Sequence, residues 1–212
     1  MPKNALILVD LQNDFFPGGA LGVPGADAVF PLANDIQDHF DLIIASKDWH
    51  PKNHGSFASN QPGHSVFEVI KLNGLPQVLW PDHCVQKTKG SEFPQKLRTD
   101  KIHKIILKGT DPTIDSYSVF FDNAHLKQTE LQEYLKKEGV ETLYLMGLAT
   151  DYCVKYSVLD GLMLGYPVFL IEDGCFAINK NPGDEKNALE EMKAAGAKLI
   201  HSKVITQGMH RV

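Results

Sequence analysis

The stretch TLYLMGLATDYCVKYSVLDGLMLG, residues 142–165, changes its pattern halfway. Its first six residues are almost wholly apolar with no polar alternation, as in a strand covered on both faces. From Asp151 to Leu164 the pattern is helical. Between the two lies a loop of small residues, so the stretch predicts a βα unit. Cys153 stands at the join, one turn into the helix. Free N–H groups and the helix dipole there favour a thiolate, so the position predicts a thiol whose pKa can fall.

The same alternation recurs outward along the chain. ALILVD (5–10), LIIASKD (42–48), KIILKG (104–109), VFLIED (168–173) and AKLIHS (197–202) read as further strands. Helical patterns lie near Ala26–Phe40, Leu126–Glu138, Asp151–Leu164 and Asp184–Ala195. Gly139 and Gly196 each close a helical pattern before a strand, as helix C-caps do. The prediction is an α/β fold: a doubly wound, mostly parallel six-stranded sheet with helices on both faces.

Two segments break the rhythm. Residues 49–98 are rich in Pro, Gly, Asn, His and aromatics, and residues 109–125 form a long polar-aromatic connection. Long loops in such folds usually wall a site. The organisation is therefore one domain over residues 1–212, with a loop-rich insertion at about 49–98.

Composition narrows the function classes. The chain has 212 residues, 43% hydrophobic and 22% charged, with a formal net charge of −5. That balance suits a globular protein and gives no basic stripe for nucleic acid. The apolar segment Ala5–Val9 is too short for a leader core or a membrane span. Three cysteines, Cys84, Cys153 and Cys175, show no disulfide framework, so a cytoplasmic protein without membrane or nucleic-acid partners is expected.

The polar residues fall at the strand ends. ALILV stops at Asp10, LIIASK at Asp48, KIIL at Lys108, and TLYLMG runs into the Cys153 loop. In open α/β sheets the ligand crevice lies outside the carboxyl ends of the strands. Each residue alone could simply begin a solvated loop, and Asp10 with Lys108 could be a structural ion pair. Together with a helix-entry cysteine they point to a thiol nucleophile, a carboxylate base and a stabilising cation. Cys153 could otherwise be a small buried hydrophobe, as Cys84 and Cys175 are expected to be.

DWHPKNH (48–54) adds a second pattern. Asp48 and His50, two apart, point to one side of an extended segment, and His83 in LWPDHCV can join them. One carboxylate and two imidazoles suit a divalent transition metal, Zn2+ or Fe2+, with Mn2+ a third choice and positions left open. His54 is an optional ligand, since Pro51 and Gly55 disfavour a helical pair with His50. Scattered loop histidines are the plainer alternative in a chain with nine of them. Phe15, Phe16, Trp49, Trp80, Tyr117 and Tyr152 gather in the same segments; some belong to the core, and a few could form a slot for a planar ring.

At this point ILVDLQNDFFPGGAL, SKDWHPKNH, LWPDHCVQ, KGTDPTIDSYSVFFDN and GLATDYCV, taken in order, resemble the nicotinamidase branch of the isochorismatase-like cysteine hydrolases. The likeness spans nearly the whole chain. It implies a triad of Asp10, Lys108 and Cys153, a metal on Asp48, His50 and His83, and a cis peptide at Leu148–Ala149. The backbone N–H groups of Ala149 and Cys153 would form an oxyanion hole. Phe15, Trp80 and Tyr117 would line the ring slot, with Tyr152 beside them. It further implies hydrolysis of the small-molecule amide nicotinamide to nicotinate and ammonia through a thioester, in NAD salvage, and a homo-oligomer. Alternatives are an amidase acting on N-carbamoylsarcosine or a ureido compound, a metallohydrolase with a structural Cys153, and a non-catalytic redox or metal-binding module.

Overall fold

The computed structural model of the protein describes residues 3–208. In chain order the strands are β1 (Lys3–Val9), β2 (Leu42–Asp48), β3 (Val69–Leu72), β4 (Leu75–Val78), β5 (Lys104–Lys108), β6 (Val140–Leu148), β7 (Val168–Phe176) and β8 (Lys198–Ile200). The helices are α1 (Val29–Ile36), α2 (Leu131–Glu138), α3 (Lys155–Met163), α4 (Asp184–Ala194) and the short α5 (Lys203–Thr206).

Six strands form one sheet in the order β5-β2-β1-β6-β7-β8, and every pairing is parallel. The apolar runs are central strands because both faces are covered: all seven residues of β2 are buried, and so are the last five of β1. From β1 the chain winds to β2 and β5 on one side, then crosses to β6 on the other. The order reverses between β1 and β6, which opens a crevice at their carboxyl ends. β1 leads into Asp10 there, and β6 leads into the Cys153 loop.

The helices bury the stripes that their patterns predict. In α1 these are Val29, Phe30, Ala33 and Ile36, and in α2 Leu131 and Leu135. Gly139 caps α2 in the left-handed conformation, with φ 69°.

Four local readings are corrected. The pattern over Ala26–Phe40 is α-helical only from Val29 to Ile36, with 3-10 turns at Ala26–Ala28 and Gln37–His39. The helix expected from Leu126 begins at Leu131, because the Asp122 carboxylate accepts the N–H groups of Ala124, Leu126 and Lys127 and folds that segment into a turn. The helix expected from Asp151 opens with a π turn, Thr150–Val154, before α3. The insertion holds an antiparallel hairpin, β3–β4, rather than loop alone. Its Asn73-Gly74 turn has φ 50° and 85°, the left-handed pair that a two-residue hairpin connection requires.

Candidate active site

Lys108 ends β5 and sits in register with Asp48 at the end of β2. The Lys108 side chain is fully buried, and only ionic or strongly polar partners make that tolerable. Its Nζ lies 2.8 Å from Asp10 Oδ2 and 2.5 Å from Asp48 Oδ1, and donates to the Ser116 carbonyl at 3.0 Å. It also lies 3.3 Å from Cys153 Sγ. Asp10 takes a left-handed backbone, φ 50°, where the chain leaves the sheet. Ser46 Oγ donates to Asp10 Oδ1 at 2.6 Å and accepts the Asp10 N–H at 3.1 Å. Carboxylate oxygens of Asp10 and Asp48 and the Cys153 sulfur fall within 4.8 Å of one another.

Charge is shared unequally in this cluster. Burial pushes the Asp10 carboxyl above the usual carboxylate range, against the pull of Lys108 and with the push of Asp48. Burial acts on Asp48 in the same sense, but Lys108 and His50 outweigh it and hold Asp48 well below that range. Burial would discharge Lys108, yet the two carboxylates keep its pKa well above the ordinary value. For Cys153 the sequence-based expectation of a lowered pKa is reversed. Burial pushes the thiol well up, Lys108 opposes this, and Asp10 and Asp48 add to it. Burial thus favours the protonated thiol at Cys153 and raises the basicity of the Asp10 carboxylate beside it.

Asp48 faces a second group through its other oxygen. Oδ2 lies 3.4 Å from His50 Nε2 and 3.6 Å from His83 Nε2. His50 Nδ1 donates to the Gly109 carbonyl and His83 Nδ1 to the Pro81 carbonyl, each at 2.8 Å. A carbonyl only accepts, so each Nδ1 carries the hydrogen and each Nε2 turns toward Asp48. An ion with bonds of about 2.1 Å in tetrahedral geometry separates its ligands by about 3.4 Å, so these three side chains fit a divalent metal. Gly109 is bound to this arrangement: its φ is 65°, and a Cβ there would lie 2.4 Å from His50 Cε1. The segments of His50 and His83 are joined by a parallel bridge between His50 and Val85. His54 groups instead with His50 and Asp115, its Nδ1 2.7 Å from Ser56 Oγ. Burial first, and the charge on His50 second, lower the His54 pKa to about 4.

Both clusters open on one small, narrow pocket. Phe15, Trp80, Tyr117 and Tyr152 wall it, as the sequence predicts, with Leu21 and Ile178 in addition. Its polar side chains are those of Asp48, His83, Asp115 and Cys153, and Ala149 also lines it. The Trp80 and Tyr152 rings meet edge to face at 4.8 Å, and Tyr117 lies 5.5 Å from Tyr152. Trp80 Nε1 donates to Tyr117 Oη at 3.3 Å. The Leu148–Ala149 peptide is cis. Just before it, Gly147 passes so close to β1 that a Cβ would lie 2.1 Å from the Val9 carbonyl oxygen.

Sequence reasoning missed Ser46, Asp115, Leu21 and Ile178. Ser46 could have been found as a polar residue inside an apolar strand, two before Asp48. The two apolar loop residues carry no such signal. Cys84 and Cys175 are buried and free, as expected, and burial pushes Cys175 up to about 12.

No helix among the described residues is long and apolar enough to cross a membrane. The isochorismatase domain pattern matches residues 4–204. The chain is 50% identical over 203 residues to the nicotinamidase of Escherichia coli (strain K12), covering 94% of this chain and 95% of that protein. A solved nicotinamidase/pyrazinamidase of Acinetobacter baumanii superposes with a TM-score of 0.92 at 41% identity, covering 96% of this chain and 98% of that one. A pyrazinamidase of Pyrococcus horikoshii, solved in complex with zinc, superposes at 0.76 with 40% identity, covering 94% and 99%. With its parallel sheet and its switch-point crevice, the chain belongs to the isochorismatase family, on the nicotinamidase branch.

Proposed function

We propose that the protein is an amidohydrolase that converts nicotinamide to nicotinate and ammonia through a thioester on Cys153, a reaction of NAD salvage. The observation that carries this is the meeting of Asp10, Lys108 and Cys153 in one buried cluster whose Cys153 lines a small aromatic pocket together with Asp48 and His83. The 50% identity to a nicotinamidase supports the substrate.

Asp10 accepts the Cys153 proton as sulfur attacks the carboxamide carbon. Its raised pKa suits it as a base for a thiol, and Lys108 offsets the negative charge of both groups. The N–H groups of Ala149 and Cys153 hold the oxyanion; one such donor is typically worth about 3 kcal/mol. Asp10 returns the proton to the leaving nitrogen, and ammonia departs. Water then attacks the thioester, giving its proton to Asp10, and the C–S bond breaks as that proton returns to sulfur. Phe15, Trp80, Tyr117 and Tyr152 hold the flat ring during both steps.

Asp48, His50 and His83 would hold the divalent ion, Zn2+ or Fe2+ in preference to Mn2+. When bound, the ion supplies a Lewis-acidic anchor for the pyridine nitrogen and positive charge beside two carboxylates. His54 stays outside this ligand set. The test is ammonia release from nicotinamide by metal-loaded protein at neutral pH. Sustained turnover supports the reading. No release from a loaded site redirects it to another small amide, such as N-carbamoylsarcosine or a ureido compound.

A further inference from the structure

The loop after β1 reaches both parts of the metal cluster from behind. The β1–β2 ladder ends at Leu8 opposite Ala45, and the backbone turns away at Asp10. Two positions later, the fully buried Gln12 carries a carboxamide back toward β2. Its Oε1 accepts the Asp48 N–H at 2.8 Å, and its Nε2 donates to the Asp48 carbonyl at 2.7 Å. A primary amide has the donor and acceptor of a peptide group, so Gln12 continues the ladder where β1 has left it. The other N–H reaches the Ser91 carbonyl at 3.1 Å. Asp48 has both backbone groups held by one side chain, while its two carboxylate oxygens face Lys108 and the imidazoles.

Asp14 acts in the same way on the other segment. Its Oδ2 accepts the N–H of Cys84, next to His83, at 2.7 Å. Cys84 has φ 47°, a conformation that a residue with a Cβ adopts only when its surroundings impose it. Neither Gln12 nor Asp14 lines the pocket.

We propose that Gln12 and Asp14 are positioning residues of the metal centre, holding the peptides of Asp48 and Cys84 and through them the Asp48 carboxylate and the His83 imidazole at ligand spacing. This rests on the reading of Asp48, His50 and His83 as a metal site. Outer partners of ligands tune affinity because they fix orientation before the ion arrives.

The experiment is a Zn2+ titration of metal-free full-length protein against a competing chromophoric chelator, with circular dichroism and thermal unfolding as fold checks. Gln12→Leu and Asp14→Ala are expected to weaken Zn2+ affinity about ten- to hundredfold. Gln37→Leu is the control. That glutamine is equally buried, donates to the Ala33 and Arg98 carbonyls rather than to the Asp48 or His83 segment, and lies outside the pocket. It should lower stability yet leave Zn2+ affinity within about twofold of wild type. If Gln12→Leu does not fold, Gln12→Glu keeps the length and the acceptor toward Asp48 and should also weaken binding. Site variants within about twofold of wild type, or an equal loss in Gln37→Leu, overturn the proposal. Wild-type protein that binds no divalent ion overturns the metal reading itself, before any variant is compared.

Discussion

Lys108→Met tests the charge cluster most sharply. The substitution keeps the length of the side chain and removes the one cation among the described residues that pairs with both Asp10 and Asp48, at 2.8 and 2.5 Å. All three groups are buried, so two carboxylates are left without their partner. Breaking a buried pair by removing one member costs about 3–5 kcal/mol. For a chain of this length that lowers Tm by roughly 6–20 °C. The loss also depends on pH, and its sign follows from Asp10. Burial already raises that carboxyl, and losing Lys108 raises it further, so the folded variant binds a proton that the unfolded chain releases. Stability then falls as pH rises through the folded pKa of Asp10, by up to about 1.4 kcal/mol per pH unit. Thermal unfolding in chelator between pH 5 and 8 reads both effects. Adding Asp10→Asn to Lys108→Met should restore part of the lost stability and flatten the pH dependence, without restoring turnover. A Lys108→Met protein that melts within about 2 °C of wild type, or a double variant that shows only the sum of two losses, would refute the reasoning.

Three further predictions concern the neighbouring groups. Gly109→Ala places a Cβ against the His50 ring at positive φ; it should cost about 1–2 kcal/mol in stability and weaken Zn2+ binding, as calorimetry would reveal. His54, lowered to about 4 when folded, binds a proton in the unfolded chain first, so its contribution to stability is present above pH 6.5 and lost as pH falls toward 4. Urea unfolding of metal-free protein at pH 7 and pH 4.5 should show roughly 1–3 kcal/mol more acid loss in wild type than in His54→Asn, and equal losses would contradict it. Pyrazinamide keeps a ring nitrogen at the corresponding position, so it should be hydrolysed, which release of ammonia at millimolar concentration would detect.

What the sequence made legible were features written in local pattern. Strands were read from apolar runs, and the residues that ended three of them, Asp10, Asp48 and Lys108, meet in one buried cluster. The aromatics that gathered near those ends wall the pocket. What stayed hidden depends on the assembled interior. The Cys153 thiol looks activated when only its own helix entry is considered; three-dimensional burial among Asp10 and Asp48 reverses the direction. The start of α2 was misread because Asp122 competes for the N–H groups that a helix would use. Gln12 showed nothing in its own stretch, since its partners on Asp48 are 36 positions away.

The central claim is that the Cys153 sulfur is the nucleophile. Ammonia release from nicotinamide by Cys153→Ala, compared with wild type carrying the same metal at the same occupancy, tests it most directly. A thiol mechanism predicts a fall of about 10⁴-fold or more in kcat, since removing a nucleophile leaves only binding and oxyanion stabilisation. Turnover within about tenfold of wild type would assign the attack to water and leave Cys153 a structural residue.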